Sequence, residues 1–350
     1  MSCPSYSANA VNTTADISNY RQHILVVRLS ALGDVAILQP VVNQWAASNP
    51  DTLFTVAAPP ILEPLFAEGA NIRFLPTQKR QSPLKLYRHL SSTHPTAVAD
   101  MHWVNRVIKT DLLFMLHGIR VAHIDKSRSE RRLLTRKGAM AYGKTLRPSW
   151  QRYDDVFRKL DLVPPAVDLA KLNQEFWQSQ QHDTLRIGIA PFAQHKGKIW
   201  QEENLVQLID LLSKWRNVEI LLFGSRDEAE TLKRWAAPYS NVRSTAGQQP
   251  FADELKIISS LTVMASMDSA NMHFASCLGV PTVSIWGATH PAGGFNGWRQ
   301  DLANAIQAPL PCRPCSMYGK KKCRYGDYRC LSQVTPQMVA ERIEKVVGSR

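Results

Sequence analysis

Three strings in this 350-residue chain put polar side chains at the ends of apolar runs, where a folded protein does chemistry. The first is ILVVRLSALGDVAILQPVV: a strand-like run, a short loop containing Ser30 and Gly33, and an amphipathic helix opening at Asp34. An acid in the first turn of a helix can serve only to offset the helix dipole. Here it follows the carboxyl end of a strand, beside a glycine that lets a ligand approach the backbone, so the carboxylate is placed to act as a general base. The second string, IGIAPFAQHKGKIWQEENLVQLIDLL, repeats the arrangement with Lys196 and Lys198 in the loop. An ammonium group in that position can meet a phosphate, and Trp200 with the helix after it should hold Lys198 in place. The third, LTVMASMDSANMHFASCLGVPTVSIWGATHP, runs from a strand through a loop into a helix opening at Asp268-Ser269, with Ala270 next in line. The free amides and positive end of that helix make an anion site to which the Ser269 hydroxyl adds a donor, while His273 lies one turn further in, where it either fills the core or reaches the same ligand. The chain contains neither GxGxxG nor a Walker Gly-Lys-Ser, which argues against hydride transfer and P-loop chemistry.

A fourth cluster is CRPCSMYGKKKCRYGDYRC, holding Cys312, Cys315, Cys323 and Cys330. Four cysteines within so short a stretch suit tetrahedral zinc, although the seven- and six-residue gaps are not paired CxxC knuckles. Net charge is +13, and between Arg120 and Arg147 nine Lys and Arg face only Asp125 and Glu130. A patch of that density, including Arg128, Arg131 and Arg132, attracts an anionic partner, either phosphate-rich lipid or nucleic acid, unless it is simply a solvated face.

The elements that position these residues alternate between strand and helix almost from end to end, the pattern of parallel sheets covered by helices. In the first half the expected strands are 24–28, 53–57, 97–100 and 119–124, with helices over 34–47 and 104–116. In the second half strands fall at 185–190, 218–224, 261–265 and 282–286, with helices near 201–215, 226–236 and 269–278. Pro164-Pro165 marks the boundary between the halves, because neither proline can continue a helix. The expected organisation is a loose tail over 1–21, a first Rossmann-like domain over 22–165, a second over 166–335 and a closing helix over 336–350 that starts with Pro at its first position. The polar N-terminal tail lacks the apolar core of a secretory signal, and no apolar run reaches the roughly 18 residues that span a bilayer. The chain is therefore expected in the cytoplasm, with its cysteines as thiols or metal ligands.

RLSALGD, KIWQEE and DSANMHFASCLGVPTVSIWG, in this order and at these separations, resemble the N-terminal, central and C-terminal donor motifs of glycosyltransferase family 9, the ADP-heptose:lipopolysaccharide heptosyltransferases. The resemblance covers roughly residues 22–348. It implies an α/β protein of the GT-B fold, two facing Rossmann-like domains with a central cleft, the first taking the acceptor and the second the donor. By the same resemblance Asp34 matches the catalytic base, Lys198 the lysine on the donor phosphate, and Asp268, Ser269, Ala270 and His273 the pocket for diphosphate and heptose. The family usually has glycine where this chain has Ala270, so an added methyl group is expected to narrow that pocket. HIDKSRSERRLLTRKG resembles a segment of family members that would clamp an anionic lipid-linked acceptor through Arg128, Arg131 and Arg132.

The reaction these matches imply is an inverting transfer from ADP-heptose to a lipopolysaccharide core sugar, with no cofactor or metal required. The expected partners are the nucleotide sugar and the anionic lipid-linked oligosaccharide, with peripheral contact at the cytoplasmic face of the inner membrane and no nucleic acid. Two alternatives remain at this point: a basic nucleic-acid-binding protein with a zinc module, and a family member that has lost activity and acts as a binding subunit.

Overall fold

The run QHILVV is too apolar for either face to stand in water, and it forms strand β1 (Gln22–Val27), buried from its second residue onward. The computed structural model describes residues 19–66, 71–165 and 184–348. In the first part β1 is the centre of a parallel sheet with β2 (Thr52–Ala58), β3 (Ile72–Pro76), β4 (Ala97–Asp100) and β5 (Arg120–His123), in the order β3-β2-β1-β4-β5. Helices α1 (Leu32–Ser48) and α3 (Asn105–Leu116) make crossovers between adjacent parallel strands, whereas α2 (Pro83–Ser91) lies in the connection that carries the chain from β3 at one edge past β2 and β1 to β4. The four expected strands and both expected helices are present. Strand β3 and helix α2 were not foreseen: β3 is short, ends in proline and is only partly buried, so it lacks the apolar run that marks the others.

The second sheet is built the same way. It contains β6 (Leu185–Ala190), β7 (Val218–Leu222), β8 (Val242–Ser244), β9 (Val263–Met267), β10 (Thr282–Trp286) and β11 (Ala305–Gln307), in the order β11-β10-β9-β6-β7-β8, all pairings parallel. Each sheet is a doubly wound array whose strand order reverses at one point, between β1 and β4 in the first and between β6 and β9 in the second. This is the two-Rossmann-unit architecture of the GT-B fold.

The division of the chain departs from the expected boundary. Between β5 and β6 lie α4 (Arg128–Lys137), α5 (Ala139–Tyr142) and α6 (Ser149–Arg158). Residues up to Lys126, together with those from Ser149 to the prolines, pack as one unit, whereas Ser127–Pro148 packs with the second. The cause is a small apolar cluster: Leu134 and Leu146 are buried with Ala292, flanked by Ala139, Tyr142 and Met317. The Ala139 N–H donates to the Arg313 carbonyl at 2.6 Å and the Leu146 N–H to that of Ala292 at 2.8 Å. Gly138 permits the approach, since a Cβ there would lie 2.1 Å from the Pro311 carbonyl oxygen and its φ is +79°. Helix α6 returns to the first unit, where the Trp45 indole on α1 donates to Asp154 at 2.7 Å and its ring lies 5.4 Å from that of Phe157.

After β6 the described helices are α7 (Glu202–Ser213), α8 (Ala229–Ala236), α9 (Phe251–Ser259), α10 (Ala270–Cys277), α11 (Arg329–Ser332) and α12 (Pro336–Gly348). The closing helix α12 starts with proline as expected, and Val339, Ala340 and Ile343 bury it in the main core with α7. No helix among the described residues is long and apolar enough to cross a membrane. The expected tail, apart from residues 19–21, and the start of the expected second domain, 166–183, lie outside the described residues.

Candidate active site

The loops after β1 and β4 meet at the switch point of the first unit. Val27 and Asp100 are paired in register at the ends of β1 and β4, so the residues after each strand emerge side by side. Asp34 lies in the first turn of α1, its side chain one quarter exposed, and its Oδ2 is 2.5 Å from a guanidinium nitrogen of Arg28. The Ala31 N–H donates to the same oxygen at 3.3 Å, and the Tyr153 hydroxyl of α6 donates to the Asp34 carbonyl at 3.1 Å. Arg28 is buried and donates to the Met101 carbonyl. Burial alone would lower its affinity for a proton, but the charge of Asp34, with Tyr153 and Asp100 behind it, leaves that affinity raised, so the guanidinium stays charged. Ser30 Oγ lies 3.1 Å from His102 Nε2; burial, then the charge of Arg28, pushes this imidazole down to about 3, so it is neutral at physiological pH. Gly33 is buried inside the helix start.

Beneath this site two acids share a proton. Asp100, fully buried, accepts from the His102 N–H at 2.6 Å and from the Trp103 N–H at 2.9 Å. Asp111 on α3, 1% exposed, faces it, and no donor among the described residues reaches either of its oxygens. Two carboxyl groups in contact in a dry site cannot both ionise. Burial raises the proton affinity of both acids, but at Asp100 the Trp103 and His102 N–H donors and the charge of Arg28 oppose it, whereas Asp111 is pushed up to about 9 by burial first and then by the charge of Asp100, so Asp111 is the acid that keeps the proton. The network ties the loop after β4 to the loop after β1, and sequence reasoning missed all of it except Ser30 and Asp34. Arg28 was legible as a charged residue ending an apolar strand; Asp111 was hidden inside an amphipathic helix.

At the switch point of the second unit, the loop after β6 carries Lys198 and the loop after β9 carries Asp268 and Ser269. The Lys198 ammonium is 2.9 Å from Asp268 Oδ2, and the side chains are 17% and 5% exposed. The lysine's backbone is fixed as expected: the buried Trp200 indole donates to the Leu331 and Val334 carbonyls at 3.2 and 3.0 Å, and the Ala288 N–H donates to the Gly197 carbonyl at 2.7 Å. A Cβ on Gly197 would meet that of Ala288 at 2.8 Å, so only glycine lets the two loops touch. Ser269 is the N-cap of α10 with extended backbone; its hydroxyl does not cap the helix and lies 3.2 Å from that of Ser266. Ala270 is the first helical residue, half-buried, and His273 sits buried one turn further on. Lys198, Asp268, Ser269, Ala270 and His273 are thus brought to one strand-end region, and Asp34, Ser30 and Gly33 to another.

The basic segment is not where the sequence put it. Arg128, Arg131 and Arg132 stand on α4, which packs with the second unit and not with the first domain expected over 22–165. Arg131 lies over the Phe295 ring at 4.8 Å and donates to the Tyr318 hydroxyl at 3.0 Å. Phe295 packs against Met272 of α10 and Trp286 of β10, which links the segment to the elements of the second switch point. Cys312, Cys315, Cys323 and Cys330 line one cavity of about 20 Å³ with Arg313, and all are free thiols. Among the described residues no group of three or more His, Cys, Asp or Glu is arranged to hold a metal ion. Arg313, which the cysteine cluster concealed, is a structural knot: its guanidinium donates to the carbonyls of Trp286, Gly287, Ala308 and Thr289, at 2.5–3.0 Å.

Comparison with known proteins agrees with this architecture. The profile of glycosyltransferase family 9 (heptosyltransferase) matches residues 112–328. Lipooligosaccharide heptosyltransferase 2 of Haemophilus influenzae is 22% identical over 93% of this chain and 99% of its own length. Lipopolysaccharide heptosyltransferase 1 of Pseudomonas aeruginosa is 28% identical over a stretch that spans 36% of this chain and 38% of that protein. Among solved structures, E. coli heptosyltransferase WaaC with ADP superposes with a TM-score of 0.66 at 19% identity, covering 93% of this chain and 99% of that one. A family 9 glycosyltransferase from Veillonella parvula gives 0.69 at 16% identity, covering 95% and 98%. The family profile spans more than half of the sequence, and the chain belongs to glycosyltransferase family 9, the heptosyltransferase family.

Proposed function

We propose that this protein is an inverting glycosyltransferase that moves a heptose from ADP-heptose to an acceptor sugar of the lipopolysaccharide core. The observation that carries the reading is the charge set at each switch point: a solvent-reaching carboxylate in one unit, and in the other a lysine and the first turn of an eight-residue helix. The donor follows from the relatives, since E. coli WaaC has been solved with ADP and with ADP-2-deoxy-2-fluoro heptose. Asp34 takes the proton of an acceptor hydroxyl as its oxygen attacks the anomeric carbon, the bond from that carbon to the diphosphate breaks, and ADP leaves. Displacement in one step inverts the anomeric centre.

Charge accumulates on the departing diphosphate, and Lys198 with the Ser269 hydroxyl and the α10 amides is suited to stabilise it. Asp268 holds the ammonium of Lys198 until the diphosphate offers it a second anionic partner. The reading of Arg128, Arg131 and Arg132 as partners of an anionic lipid-linked acceptor rests on their charge alone, since α4 packs with the second unit; the protein meets that acceptor as a cytoplasmic enzyme at the inner membrane face. The deciding experiment is Asp34→Asn. Its affinity for ADP should be close to wild type while turnover falls about 100-fold or more, the usual worth of a positioned base. Near-normal turnover would remove Asp34 from the chemistry.

A further inference from the structure

We infer that Arg28 is the positioning residue of the reaction, a buried cation that keeps the Asp34 carboxylate ionised and fixed while never touching substrate itself. The inference rests on Asp34 being the base. Arg28 immediately follows β1, and its side chain is 9% exposed against 25% for Asp34. Of the paired groups, the carboxylate is the one that solvent, and therefore a sugar hydroxyl, can reach. Arg28 and the Ala31 N–H both engage Oδ2, which fixes the rotation of the carboxyl group. The guanidinium is itself fixed, donating to the Met101 carbonyl from another nitrogen and lying 5.8 Å from the centre of the Tyr153 ring.

A guanidinium is costly to bury, and removing one partner of such a pair leaves a buried charge unpaired. Arg28 is held in the dry interior by Asp34 and by the Asp100 carboxylate, so its charge does not vary over the range in which the enzyme works. The groups facing this pair are the Tyr153 hydroxyl from α6, the neutral His102 imidazole and the Asp100 carboxylate from the loop after β4, and the Ala31 N–H. Among these groups Arg28 is the cation in contact with Asp34; the charges of Lys126 and Arg106 act on the neighbouring His102, that of Lys126 after that of Arg28. A fixed positive charge at contact distance favours the ionised carboxylate. The base is weaker for that contact, and it is held ionised with its carboxyl group in one rotation.

The test is the pH profile of the single-turnover rate for wild type, Arg28→Lys and Arg28→Met, with Asp34→Asn alongside. For Arg28→Met the acid limb of the profile should move to higher pH by about one to three units, the usual effect of an adjacent arginine on a carboxylate. Arg28→Lys keeps the charge but not the two-armed geometry; its acid limb should stay within about half a unit of wild type while the plateau rate falls. Should Arg28→Met not fold, Arg28→Gln, which keeps a donor for Met101 without the charge, reads the same limb. An acid limb unmoved in the uncharged variant, with Asp34→Asn inactive, would overturn the role of Arg28 and leave the base in place. An active Asp34→Asn would instead overturn the base.

Discussion

Replacing Asp111 by Asn should make the protein's stability less sensitive to pH. In the folded chain this acid is raised from 3.8 to about 9, so between those values the native state holds one proton that the unfolded chain releases. Its contribution is fully present below about pH 4, and is lost as pH rises through about 9. One extra bound proton corresponds to a slope of about 1.4 kcal/mol per pH unit. Asn has no proton to lose, and its amide can donate to Asp100 as the protonated carboxyl does. Stability of the variant relative to wild type should therefore grow by about 4 kcal/mol between pH 5 and pH 8. Urea denaturation followed by circular dichroism at unit intervals of pH measures this directly. The size of the gain at any one pH depends on how well the amide fits, but the divergence of the two curves does not. Parallel curves for the two proteins would refute the shared proton.

Lys198→Ala should abolish most of the rise in melting temperature that ADP gives the wild type, and Ser269→Ala should reduce it less; equal protection in wild type and Lys198→Ala would disprove the phosphate assignment. The same lysine variant leaves Asp268 buried without its cation and should melt lower even without ligand. Reversing Arg131 and Arg132 to Glu should raise the acceptor KM and blunt its dependence on salt, leaving the donor KM near wild type; a donor-specific defect would tie α4 to the nucleotide sugar instead. Arg313→Met strips donors from four carbonyls and should cost about 3 kcal/mol or more in chemical denaturation; a loss below about 1 kcal/mol would mean that water replaces the guanidinium.

The parts of the fold that could be read from sequence were those where one physical signal dominates. Strands β1, β2, β4, β6, β7, β9 and β10 are buried on both faces and so appear as apolar runs, and the helices after them begin with recognisable polar residues. Elements such as β3 and β8 mix exposed with buried positions, and β8 and β11 are only three residues long, which removes the signal. The same division runs through the site. Asp34, Lys198 and Ser269 were legible because each stands at the end of an apolar strand or the start of a helix. Arg28, Asp100 and Asp111 owe their properties to one another, and that proximity arises only when β1 pairs with β4 and α3 folds back over the pair. The basic segment was misplaced for a related reason: charge density is visible in the sequence, whereas the anchoring of Leu134 and Leu146 against Ala292, nearly 150 residues away, is not.

That anchoring bears on how this protein could be dissected or recombined. A fragment ending at the prolines would carry Ser127–Pro148 with its apolar side chains stripped of their cover, and the complementary fragment would expose Ala292 and Met317. A single cut should therefore yield two sticky halves, and separate expression should give aggregates unless the halves are made together. Exchange of the first unit with that of a relative needs two junctions, one after Lys126 and one before Ser149, with the intervening hairpin staying with its host. Chimaeras joined at both places should remain soluble where those joined only at residue 165 do not.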